Sequence, residues 1–340
     1  MARPRVFVTR HLPGGALDYL EEHCQVSLWQ DDLPPPRDEL IDRASGTHGL
    51  LCLLTDRVDD EVLAAAPDLV VVSNMATGFD NVNIDAARRR GVLVTRTRGV
   101  LSETTAEFTF ALILAAARRV VEGDRYVRSG RWTTWGPEIL LGRDLAGTTL
   151  GIVGMGGIGR ALARLAYAFG MPIVYTSRAP KPALERRFRM TYLTLEELLK
   201  ESDIVSLHAS LTPETRHMIG RRELDLMKRT AILVNTARGP LVDQGALYAA
   251  LAGDKIVAAA LDVTDPEPIA PDDPLLSLSN VIIVPHIASA SIATRSRMAM
   301  LAAENLVEAL NGSVPKHTVN RQIARRWRVR LRKLNQYRDS

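Results

Sequence analysis

Thr149-Leu150-Gly151-Ile152-Val153-Gly154-Met155-Gly156-Gly157-Ile158-Gly159 carries an apolar, β-branched run directly into glycines spaced G-x-G-x-x-G. A helical pattern follows, with Ile158, Leu162, Leu165 and Phe169 on its apolar face. Gly154 permits the tight turn, Gly156 lets the backbone approach a pyrophosphate, and Gly159 lets helix pack on strand. Gly157 and Ile158 open the helix, whose amino terminus offers partial positive charge and N–H groups to an anion. Strand, phosphate-binding turn and helix in this order begin a doubly wound α/β domain that holds a dinucleotide.

Such a motif normally has an Asp or Glu about 20 residues on, where it holds the adenosine ribose hydroxyls of NAD. Here the second strand ends in Thr176-Ser177-Arg178, and the first acidic residue after Gly154 is Glu185. A carboxylate would repel a 2′-phosphate, whereas Ser177 donates to one and Arg178 pairs with it. Lys181 adds a further charge. The expected cofactor is NADP(H), with NAD(H) as the weaker alternative; the competing reading makes Arg178 a solvated surface residue.

Outward from this stretch, short apolar runs alternate with helical patterns over the whole chain. Val6–Thr9, Val26–Trp29, Leu50–Leu54, Leu69–Ser73 and Val92–Thr95 read as strands of a first domain, with helices such as Gly15–Glu22 and Asp59–Ala66 between them. Thr149–Val153, Ile173–Thr176, Ile204–Leu207, Ile232–Asn235, Val257–Val263 and Val281–Val284 read as strands of a second. The alternation predicts two α/β domains, each a doubly wound parallel sheet covered by helices. Ser102–Arg119 suits a buried helix passing between them, and Ser289–Leu310 a helix returning the chain to the first. The expected division is 1–101 plus 290–320, 102–289, and a basic tail at 321–340.

The 340 residues are 46% hydrophobic and 24% charged, which excludes disorder, collagen and a disulfide scaffold. Cys24 and Cys52 are too few to staple the chain, no secretory signal pattern opens it, and its longest apolar stretch, residues 108–117, is too short to span a bilayer. The expected location is a reducing cytoplasm. Residues 1–320 carry 35 basic and 38 acidic side chains, whereas 321–340 carry eight basic residues against Asp339 alone. A nucleic-acid partner is therefore not expected, except at this tail. There Ile323, Trp327, Leu331 and Leu334 form an apolar stripe in a field of arginine, reading as an appended surface helix or frayed end, with a polyanion or membrane contact as the alternative.

Three polar residues stand at or just beyond strand ends in the second domain, where open α/β sheets bind ligands. Arg238 follows Ile232–Thr236, Glu267 follows Val257–Val263, and His286 follows Val281–Val284. Together they supply a fixed cation for a substrate carboxylate, a titrating proton donor, and a carboxylate to orient it. The seven histidines show no metal-ligand spacing, so no metal is expected.

These residues, with ILVNTARGPLVD at 232–243, WGPEILLG at 135–142, YTSR at 175–178, LDVTDPEP at 261–268 and PHIASAS at 285–291, resemble the D-isomer-specific 2-hydroxyacid dehydrogenase family over about residues 5 to 320. Within it the likeness is greatest to NADPH-dependent glyoxylate/hydroxypyruvate reductases. The resemblance implies a flavodoxin-like substrate domain and a Rossmann dinucleotide-binding domain with the active site in the cleft. It implies hydride transfer from the nicotinamide to C2 of a small 2-oxo acid, glyoxylate or hydroxypyruvate, with His286 donating the proton. Glu267 would fix the tautomer and favour the charged ring, so that reduction weakens as the histidine loses its proton, and Arg238 would clamp the substrate carboxylate.

By the same resemblance, backbone N–H groups near Thr77 and Gly78 hold that carboxylate, and Leu54 caps the small end of the pocket. Asp262 and Ser289 face the nicotinamide amide, and Thr105 contacts the cofactor; for Asp262 a strand-end cap is the competing reading. The segment from Arg118 to Gly147 would form the contact of a homodimer through the dinucleotide-binding domain. Trp135 either reaches the partner's active site or is buried in that interface. The alternatives are another D-2-hydroxyacid dehydrogenase, acting on phosphoglycerate, a bulkier 2-oxo acid or phosphonate, and a nucleotide-sensing corepressor of the same fold.

Overall fold

In the computed structural model, residues 3–338 are described, with side chains through residue 332. The chain forms two compact units, Met1–Leu101 with Ser291–Ser340, and Ser102–Ala290. In the first, strands β1 (Arg5–Val8), β2 (Gln25–Leu28), β3 (Gly49–Cys52), β4 (Val71–Asn74) and β5 (Leu93–Arg96) alternate with helices α1 (Ala16–His23), α2 (Arg37–Ser45), α3 (Asp60–Ala65) and α4 (Ile84–Arg90). All pairings are parallel and the order is β2-β1-β3-β4-β5. This is the flavodoxin-like order. The inner strands β3 and β4 are buried along their length, as expected of apolar runs covered on both faces. Side-chain caps start the helices that follow: Asp59 accepts from Val62 N, and Asn83 from Ala86 N.

The second unit opens with α5 (Ser102–Ala117) and α6 (Val120–Arg128), followed by β6 (Leu150–Val153), α7 (Gly157–Ala168), β7 (Ile173–Thr176), α8 (Pro182–Phe188) and β8 (Thr191–Tyr192). Then come α9 (Leu195–Glu201), β9 (Ile204–Leu207), α10 (Arg221–Leu226), β10 (Ile232–Asn235), α11 (Gln244–Ala252), β11 (Ala258–Leu261) and β12 (Val281–Ile283). The seven strands are parallel in the order β12-β11-β10-β9-β6-β7-β8. The order reverses beside β6, at the β6/β9 pair, which is where a doubly wound sheet opens its ligand crevice. Edge strand β8 has two residues, too few for a periodic signal. Phe169 departs from the expected buried face of α7: it is 48% exposed at the helix end, its ring 4.6 Å from that of Phe110. Small residues take its place, since Ala161, Ala163 and Ala166 are buried and let α7 lie close to its neighbours.

The chain returns to the first unit through α12 (Ile292–Leu310), capped by Ser291, and ends in α13 (Ala324–Arg338). Residues beyond 320, set apart in sequence by charge, belong to the first unit. The stripe is not a frayed surface: Ile323, Trp327 and Leu331 are buried, and Trp327 Nε1 donates to Val70 O at 3.0 Å. Leu334, Lys333 and Arg338 lie outside the described side chains.

Candidate active site

The glycine turn is built as its chemistry requires. Gly154 has φ +104°, and a Cβ there would meet the His208 backbone at 2.6 Å. A Cβ on Gly159 would meet Gly154 O at 2.2 Å, so helix and turn touch only because it is glycine. On Gly156 a Cβ would meet nothing within 4 Å, so the space above the amino terminus of α7 is open. These features fit a dinucleotide pyrophosphate. Ile158 is half-buried against the core, and Thr105, in the first turns of α5, is buried.

After β7, Ser177 Oγ donates to Ala179 O at 2.7 Å and Arg178 is exposed, with no carboxylate partner among the described residues. Glu185, the first acid after the glycines, is turned to another task. Its Oε1 accepts from Tyr175 Oη at 2.6 Å and from Lys181 N at 3.0 Å, tying down the loop that carries Arg178. Burial and this carboxylate push the Tyr175 phenol up to about 12.

The loops after β10, β11 and β12 bring the polar trio together. Asn235, buried at the end of β10, uses its side chain to accept from Ala237 N and donate to Arg238 O. Arg238 Nη1 donates to Ala237 O at 2.8 Å. A Cβ on Gly239 would meet Thr264 O at 1.9 Å, so glycine alone lets the Arg238 loop pack on the loop leading to Glu267. That second loop is held by Thr264 Oγ1 donating to Pro266 O and by Gln244 Oε1 accepting from Asp265 N. From it, Glu267 Oε1 lies 2.5 Å from His286 Nδ1, both side chains partly exposed. An ionised carboxylate at this distance holds a ring proton on Nδ1.

Asp262 is 1% exposed, and its carboxylate accepts from Ile287 N at 2.7 Å and Ala288 N at 2.9 Å, while its carbonyl accepts from His286 N. Burial pushes this carboxyl above the usual range, opposed by the two N–H bonds. Its bonds are those of the strand-end cap, and it holds the turn on which His286 adopts φ +53°. Ser289 is half-buried three residues on.

In the first unit, Leu54 follows β3 and Thr77 and Gly78 follow β4, all half-buried at carboxyl ends of strands. Asn81 stitches the two loops: Nδ2 donates to Leu53 O at 2.9 Å and Asp56 O at 3.0 Å, and Oδ1 accepts from Asn74 Nδ2, which also donates to Gly78 O. Thr77 Oγ1 donates to Thr97 O, and Arg96 Nη1 to Thr77 O. Among the described residues the Thr77 and Gly78 N–H groups have no partner, so both remain available to an anion.

Residues 110–288 match the family described as D-isomer specific 2-hydroxyacid dehydrogenase, NAD binding domain. The chain belongs to this family. It is 53% identical over 324 residues to the glyoxylate reductase of Korarchaeum cryptofilum, covering 95% of this chain and 98% of that protein. Among solved structures it resembles the TT0316 protein of Thermus thermophilus, with TM-score 0.87 and 52% identity over 93% of this chain and 99% of that one. It also resembles an NADPH-dependent glyoxylate/hydroxypyruvate reductase of Sinorhizobium meliloti in complex with NADP and malonate, with TM-score 0.83 and 31% identity over 94% and 97% of the two chains.

This 2-hydroxyacid dehydrogenase chain also carries features away from the glycine turn. Among the described residues no group of three or more His, Cys, Asp or Glu is set to hold a metal, and no helix is long and apolar enough to cross a membrane. Trp135 is 79% exposed, in a segment where Val120, Trp132 and Leu141 are exposed too. Sequence reasoning missed Asn81, Asn235 and Gly239. Asn235 and Gly239 both stood in the quoted ILVNTARGPLVD stretch; Asn235 serves backbone two and three residues on, whereas Gly239 meets the Thr264 backbone brought close only by folding.

Proposed function

We propose that the protein reduces small 2-oxo acids, glyoxylate and hydroxypyruvate, with NADPH as the preferred cofactor, in the cytoplasm. The observation that carries this reading is the Glu267–His286 pair at 2.5 Å, on loops packed against the loop of Arg238. Glu267 engages Nδ1, which assigns the proton given to the substrate oxygen to Nε2. Arg238 pairs with the substrate carboxylate and stabilises charge developing on the carbonyl oxygen. Thr77 and Gly78 offer N–H groups to the same carboxylate, and Leu54 limits substrate size. When bound, the dinucleotide supplies the hydride. Gly154, Gly156, Gly157, Ile158 and Gly159 hold its pyrophosphate, Ser177 and Arg178 its 2′-phosphate, and Thr105 and Ser289 contact it. Asp262 sets the turn that orients His286 and Ser289. The exposed segment around Trp135 is covered by a second copy of the chain.

The test is initial-rate oxidation of NADPH and NADH, in parallel, across a glyoxylate series. A kcat/KM at least tenfold higher with NADPH, reversed or abolished in Arg178→Asp, is expected. Equal rates with both cofactors would remove the phosphate role of Ser177 and Arg178. No oxidation of either would remove glyoxylate as substrate.

A further inference from the structure

We propose that the outer face of α13 is a docking surface for the phosphodiester backbone of nucleic acid, read without regard to sequence. The helix has two opposed faces. Ile323, Trp327 and Leu331 point into the first unit, 7%, 0% and 6% exposed. Arg330 is drawn inward with them, donating to Leu69 O at 3.1 Å and to Pro67 O. The opposite face carries Arg325, Arg328 and Arg332, at spacings of three and four that align them along one side over about 10 Å of helix. Arg326 flanks them, and Arg321 stands one turn before. All five are exposed, and none has a carboxylate partner among the described residues.

This lack of partners distinguishes the face from the basic end of α4. Arg88 pairs with Asp85, and Arg89 and Arg90 share Asp60, so most of the charge at the end of α4 is offset. From Arg321 to Arg338 the sequence contains no Asp or Glu, while residues 1–320 hold a slight acidic excess. A polyanion is therefore attracted to this face.

Three features select the occupant. Guanidinium groups pair bidentately with phosphate, and a row of them suits a ligand with regularly repeated charges. A protein partner would call for an apolar centre, and only Val329, 52% exposed, interrupts the arginines. An anionic bilayer would call for an apolar face to insert, and α13 has already buried its own. The fixed backbone of the docked helix means that little ordering is needed on binding.

The experiment uses the full chain and a short labelled DNA duplex of arbitrary sequence, followed by fluorescence anisotropy from about 50 to about 200 mM salt. Binding that weakens with salt at a log–log slope of about −3 to −4 is expected, as for three to four phosphates neutralised. The triple variant R325Q/R328Q/R332Q should bind at least about tenfold more weakly at low salt and lose most of that slope, with unchanged melting temperature and unchanged 2-oxo acid reduction. Three outcomes overturn the proposal: no duplex binding at low salt, equal binding by the triple variant, or capture by phosphatidylserine vesicles without binding to the duplex. None of these bears on the reductase reading, which is tested by NADPH oxidation alone.

Discussion

His286 sits at φ +53°, a region few residues other than glycine adopt, because Asp262 grips the turn through one carbonyl and two carboxylate oxygens. Glu267 then fixes the ring from the other side. His286→Ala should lower kcat by about 10²-fold or more while leaving cofactor binding intact, as loss of a general acid does; near-normal turnover measured by steady-state kinetics would remove the residue from that role. A second histidine makes a different prediction. His208 Nε2 bonds Ser206 Oγ, its Nδ1 is buried without a partner, and burial lowers its pKa to about 4. The unfolded ring titrates near 6.5, so between these values the unfolded chain binds the extra proton. Stability is full above about pH 6.5 and is lost as pH falls toward 4, by about 2 kcal/mol between pH 7 and 5. His208→Gln should flatten that part of the stability curve in urea titrations at the two pH values, and parallel curves for both proteins would refute it. At this scale the sequence was readable where a polar residue ends an apolar strand, as with Arg238, Glu267 and His286. It was mute where a side chain serves the backbone of a distant loop, as with Asp262, for which two roles stayed open, and Asn81.

At the scale of elements, the sequence showed both sheets because buried parallel strands are nearly continuous apolar runs between glycines and polar caps. Strand ends shifted by a residue or two, and β8 escaped because two residues carry no period. The loops were harder, since their shape is set by hydrogen bonds that cross from one crossover to the next. The Leu54 loop and the Thr77–Gly78 loop are joined through Asn81, whose three bonds reach Leu53, Asp56 and Asn74. Asn81→Ala leaves these backbone acceptors to find water. The expected cost is about 1–3 kcal/mol of stability, with a KM for the 2-oxo acid raised about tenfold and a KM for the dinucleotide unchanged, because the glycine turn belongs to the other unit. A variant that raised both KM values equally would show that Asn81 acts on the fold as a whole.

For the whole molecule, the decisive contrast lies between the two ends of the seven-stranded sheet. Arg238, Glu267 and His286 stand beyond the carboxyl ends of β10, β11 and β12. A cavity of 320 Å³ lies instead at the amino ends, where Ile232, Ala258 and Val281 begin those strands, beside Ala117, Arg119 and Leu141. It holds none of these three residues, so the proposed substrate chemistry does not account for it. Leu141 lines this cavity, and Val120, Trp132 and Trp135 of the same segment are exposed apolar side chains as well. A second copy of the chain, bringing the same segment, would cover both by twofold symmetry. Light scattering on the purified protein should then give about twice the 37.4 kDa chain mass. Trp135→Asp combined with Leu141→Asp should shift it to one chain with the sheet still folded by circular dichroism, because charges would face charges across the symmetry axis. A single-chain mass for the unaltered protein would refute the assembly and leave the cavity as a site for some other apolar ligand.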